Sequence, residues 1–133
     1  MERIEPISEQ YANGLLQKWT KRLGLEGWTI VLALNCQQDE MPISGTCGCA
    51  SYEEVGRTAR ISILNPACYG DRIPPFNFEK TLIHELLHLK FALLHDGDGY
   101  ESLQYRVLHQ CIEDLARAFA ECAEEVAIHD EAE

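Results

Sequence analysis

The chain has 133 residues, the size of one domain, large enough to bury a core without cross-links and too short for a second globular unit. Its 11 basic and 22 acidic residues give a net charge of −11, which repels nucleic-acid phosphates and anionic lipid and argues against both as partners. The first twenty residues hold no basic stretch followed by an apolar core, and no later segment approaches the roughly 20 apolar residues of a membrane span, so one cytoplasmic domain over residues 1–133 is expected.

From Ser8 to about Gly24, Tyr11, Leu15, Leu16, Trp19 and Leu23 recur at three- and four-residue steps, which predicts an amphipathic helix with Ser8 as N-cap and Gly24 as stop. The β-rich run Trp28 to Leu34 carries its larger side chains on even positions and predicts a strand ending near Asn35. Residues 37–45, with Pro42 and Gly45, read as a loop, and Thr46 to Tyr52 as a second strand that turns at Glu53-Glu54-Val55-Gly56. In Arg57 to Leu64, Ala59, Ile61 and Ile63 alternate with Thr58, Arg60 and Ser62, the pattern of a strand with one buried face.

Asn65-Pro66 ends that strand, and Ala67 to Asn77, rich in Pro and Gly, is expected to hold no regular structure. Phe78 to about Leu94 predicts a helix that is apolar over most of its circumference and therefore central. Asp96-Gly97-Asp98-Gly99 reads as a solvated turn. A last helix, from Tyr100 to about Val126, places Leu108, Cys111, Ile112, Leu115, Phe119, Cys122 and Val126 on one stripe, with a frayed acidic tail over residues 127–133. Helices flanking a few strands predict an α+β fold.

Six cysteines without a secretory signal read as free thiols, with Cys111 and Cys122 on the buried stripe. Cys47-Gly48-Cys49, with Cys36 and Cys68, offers a candidate second, structural zinc site, although CxC is not the common CxxC spacing.

The motif that carries chemistry is His84-Glu85-Leu86-Leu87-His88, an HExxH sequence inside an apolar helical run. Residues four apart share a helix face, so His84 and His88 can grip one Zn²⁺ while Glu85 serves as general base on a water. Burying two imidazoles and a carboxylate with no metal would cost several kcal/mol, of order 2–7 for each unpaired polar group. A catalytic zinc takes three protein ligands. The metzincin arrangement would need Gly at position 91 and His at 94, where the chain has Phe91 and Leu94, with His95 one residue out of step. The last helix offers Glu101, His109 and Glu113, and of these His109 and Glu113 lie four apart on a face shared with Ile112 and Ala116.

With an HExxH helix, a strand before it and a ligand-bearing helix after it, residues 57–120 resemble the minimal zincin metallopeptidases, particularly the small gluzincin-like proteins. The resemblance implies an N-terminal helix, a small, mostly antiparallel sheet, the HExxH helix and a C-terminal helix packed against it. Gluzincins carry a Glu ligand about twenty residues beyond the second His and an acid four residues further on that bonds a ligand His. That pattern falls on His109 and Glu113, with His in place of the usual Glu. The resemblance thus implies either a three-His site or Glu113 as metal ligand with His109 beside it. It further implies that Arg57 to Leu64 is an edge strand on which an extended peptide pairs, that Glu85 shuttles a proton to the leaving amine, and that Tyr105 or Tyr100 could serve the oxyanion. The function it implies is zinc-dependent peptide hydrolysis on a polypeptide substrate or protein partner. A catalytically weak regulatory or protein-binding domain is the alternative, and oligomeric state is left open.

Overall fold

The computed structural model describes residues 5–43, 45–70, 76–92 and 102–132, with side chains of the last stretch up to residue 125. Its elements in chain order are α1 (Glu9–Arg22), β1 (Thr29–Cys36), a one-turn 3-10 segment (Gln38–Glu40), β2 (Gly48–Glu53), β3 (Thr58–Leu64), α2 (Pro66–Tyr69), α3 (Phe78–Lys90) and α4 (Leu103–Ala132). The expected α+β class holds: the described residues form four helices and one three-stranded sheet. Among the described residues no helix is long and apolar enough to cross a membrane.

Local chemistry explains most boundaries. The Ser8 hydroxyl accepts from the Tyr11 N–H at 3.1 Å and starts α1. Gly24, at φ +72°, adopts the left-handed conformation that follows its end. Asn77 caps α3 by accepting from the Lys80 N–H. The helix α1 is tied to the first turn of α3 by the Trp19 Nε1–H, which donates to Glu79 Oε2 at 2.7 Å, and by Lys18 Nζ, 3.2 Å from the same oxygen.

The sheet departs from expectation in two ways. Its strand order is β1-β3-β2, with β1 parallel to β3 and β2 antiparallel to it, so it is mixed rather than mostly antiparallel. The chain leaves β1, lays down β2 on the far edge and returns through the 54–57 turn to fill the middle. β3 is therefore the central strand and not an edge.

The expectation of a single buried face also fails in the last residues of β3, where both faces are covered. Ala59, Ile61 and Ile63 face the helices and join the main core with Leu82, Leu86 and Ile112. On the reverse face Ser62 and Leu64 are only 3 % and 0 % exposed, and Leu64 belongs to a small second cluster with Cys36 and Met41, with Cys47, Cys49, Cys68 and Tyr69 packed around it.

Two further expectations are corrected. Pro66, set at the first helical position where its missing N–H costs nothing, starts the one-turn α2 inside a segment expected to be irregular. In α4 the buried face runs through Ile112, Ala116 and Ala120, while Cys111, Leu115 and Cys122 are exposed. The alanines, discounted in a stripe drawn from the larger residues, allow α4 to lie close to the core and turn those three residues to solvent. The α4 backbone is helical to Ala132. The turn expected at residues 96–99 lies outside the described residues.

Candidate metal centre

α3 uses two faces, one for each neighbour. Lys80, His84 and His88, at four-residue steps, point toward α4, and Thr81 and Glu85, also four apart, point toward β2. From α4, His109 and Glu113 enter the same space, again four apart.

His84, His88 and His109 converge: one ring nitrogen from each lies within 4.8 Å of the other two, and among the described residues this is the one group of three His, Cys, Asp or Glu side chains so placed. His84 Nε2 and His88 Nε2 are 3.2 Å apart. Two nitrogens bound tetrahedrally to zinc at about 2.0–2.1 Å would be about 3.4 Å apart, so the spacing of the His84 and His88 pair suits that ion, with His109 close by. The ring centroids are 5.0 Å apart for His84 and His88, 5.0 Å for His84 and His109, and 5.6 Å for His88 and His109. Tyr105, one turn before His109, stacks on its ring at 5.8 Å with the planes 19° apart.

Glu113 occupies a different place. Its Oε2 lies 2.7 Å from His84 Nδ1 and its Oε1 2.6 Å from Lys80 Nζ. A carboxylate can only accept, so His84 Nδ1 carries the proton and Nε2 keeps the lone pair a metal needs. Burial acts to raise the Glu113 carboxyl, but the Lys80 hydrogen bond and charge and the hydrogen bond from His84 outweigh it and hold the group below the ordinary carboxylate range. Burial lowers the His84 imidazole, against the pull of Glu113, and so keeps it in the neutral form that binds metal. The two candidates for the third position are thereby separated in space: His109 stands with the other imidazoles, and Glu113 backs His84 from behind.

Glu85 is 7 % exposed. Burial, with a further contribution from the Glu113 charge, pushes its carboxyl up to about 8. In the unfolded chain the group loses its proton near the ordinary 4.5, while in the folded protein it keeps the proton to about 8, so raising the pH through this window favours unfolding. Metal-free wild type is accordingly expected to lose stability relative to metal-free Glu85→Gln as the pH rises from about 5 to about 8. Thermal melts of the two chelated proteins across that range check this, and curves that stay parallel would refute the buried, protonated carboxyl.

The second zinc site is not assembled. Cys36, Cys47, Cys49 and Cys68 gather around one apolar cluster and none is in a disulfide, but no three of them reach ligand spacing. The Cys36 thiol donates to the Ala33 carbonyl and the Cys68 thiol to Gln37 Oε1, which suits packing thiols. Glu101, Tyr100, His95, Asp96 and Asp98 lie outside the described residues.

Reading the sequence alone missed Lys80 and Gly48. Lys80 sits four residues before His84, so its place on the ligand face was readable from spacing. Gly48 was not readable, because nothing local tells which helix a strand glycine will meet. No family model matches the chain, and comparison with curated proteins and with solved structures finds no match either.

Proposed function

We propose that the chain is a zinc-dependent peptidase of zincin type, with His84, His88 and His109 as metal ligands, Glu113 as the residue that orients His84, and Glu85 as general base. The observation that carries this reading is the convergence of three imidazoles from two helices, with a buried carboxylate next in sequence to one of them. A purely structural metal site needs ligands but no general base, so the position of Glu85 favours a hydrolytic role. Zn²⁺, when bound by the three imidazoles, supplies Lewis acidity that lowers the pKa of a water and polarises a carbonyl.

The chain's own groups do the rest. The positive charge of a bound Zn²⁺ would favour the ionised form of Glu85 over the protonated form of the metal-free protein, and that carboxylate accepts the proton of the attacking water and delivers it to the amine that leaves when the C–N bond breaks. Glu113, held by Lys80, fixes the His84 tautomer and ring orientation. Tyr105 packs against the His109 ring.

The peptide-binding edge moves from β3 to β2. β3 is paired on both sides, whereas β2 is paired on one side only among the described residues. The Leu64 N–H donates to the Cys47 carbonyl, and antiparallel pairing alternates, so Gly48, Ala50 and Tyr52 turn their N–H and C=O groups away from β3. An extended polypeptide adding to this edge by main-chain pairing would lie beside Glu85. Cleavage of a peptide library, lost on chelation and restored by stoichiometric zinc, is the expected result. A zinc-loaded protein that cleaves no peptide would leave the binding-domain alternative in its place.

A further inference from the structure

Gly48 opens the edge strand β2, and its backbone does not explain it. Its φ is not positive, the usual reason for a required glycine. Glycine within a strand weakens it, and alanine in an ordinary extended position would normally stabilise the protein. What explains Gly48 is a close approach. A Cβ built there would lie 2.7 Å from Thr81 Cγ2, 2.9 Å from Glu85 Oε2 and 3.3 Å from Glu85 Cγ. The strand thus runs against the face of α3 that carries Glu85, and the missing side chain leaves the space that the carboxylate fills.

The two neighbours would yield differently. Thr81 is branched at Cβ, and its hydroxyl donates to the Asn77 carbonyl at 2.9 Å, which fixes its rotamer and leaves the methyl group no easy retreat. The Glu85 carboxylate is the far end of a flexible side chain, and it can swing away at little cost to the fold. The geometry points to Gly48 as a positioning residue for the general base: the absence of a side chain at position 48 holds the Glu85 carboxylate where the attacking water needs it. This rests on the peptidase reading above.

Thr81→Ser separates the two contacts, since it removes the obstructing methyl group and keeps the hydroxyl that bonds Asn77. In that background, Gly48→Ala is expected to leave one zinc per chain, a melting temperature within about 3 °C and the KM unchanged, while kcat falls about 100-fold, the scale of a 1 Å misplacement of a catalytic group. A crystal structure of the zinc-loaded double variant is expected to show the carboxylate rotated away from β2. Undiminished kcat, or a carboxylate still against the strand, overturns the proposal. So does loss of zinc or of the cooperative melt in the double variant, because Gly48 would then serve the fold alone. If the wild type itself cleaves nothing, the peptidase reading fails separately, and the carboxylate position in the double variant still decides the role of Gly48.

Discussion

Glu85→Gln is expected to bind zinc as the wild type does and to lose peptide cleavage by about 10²–10⁴-fold in kcat, the usual contribution of a positioned general base. The amide nearly matches the carboxylate in shape, so the packing of α3 against β2 is kept, and with it the space at Gly48. The three imidazoles proposed to hold the metal are untouched. What disappears is the ability to accept a proton from water. Measuring zinc by native mass spectrometry together with kcat and KM on one cleaved peptide keeps binding and chemistry apart. A variant that keeps full turnover would remove Glu85 from the mechanism, and one that loses zinc would make its role structural.

The second large effect is on metal binding, and it discriminates between the two residues of α4. His84→Ala and His109→Ala each remove a proposed ligand and are expected to abolish stoichiometric zinc, together with the thermal stabilisation that metal binding would confer. Glu113→Ala should behave differently. It removes the carboxylate that fixes the His84 tautomer and leaves Lys80 without that partner, so zinc affinity should fall about 10–100-fold, as for other residues that orient a ligand, without being lost. Competition against a chromophoric chelator measures all three. If Glu113→Ala loses zinc outright while His109→Ala keeps it, the third ligand is Glu113 and the assignment drawn from the geometry is wrong.

Some of this was readable without coordinates. The HExxH spacing places two imidazoles on one helical face because the α-helix repeats every 3.6 residues, and the same rule pairs His109 with Glu113. Ser8, Gly24 and Asn65-Pro66 mark ends through local hydrogen bonding and backbone limits, and the alternation of Ala59, Ile61 and Ile63 marks a strand. These are properties of neighbours in the chain, and they survive whatever fold surrounds them.

The remaining features depend on what each element meets. Strand order is one: β3 has the alternation of a half-buried strand, yet it lies between β1 and β2 and is buried on both faces in its last residues. The rotation of α4 is another, set by Ala116 and Ala120, whose small size permits close helix packing that no stripe of large residues foretells. The choice between His109 and Glu113 is a third. Both share a face of α4, and only the packing of α3 and α4 against each other puts one with the His84 and His88 imidazoles and the other against His84 Nδ1. The periodicity of the chain thus determined that a two-histidine helix and a second polar pair would exist. Only the tertiary structure decided which atoms of that pair face the same point in space, because side-chain convergence between distant elements is a property of packing and not of spacing.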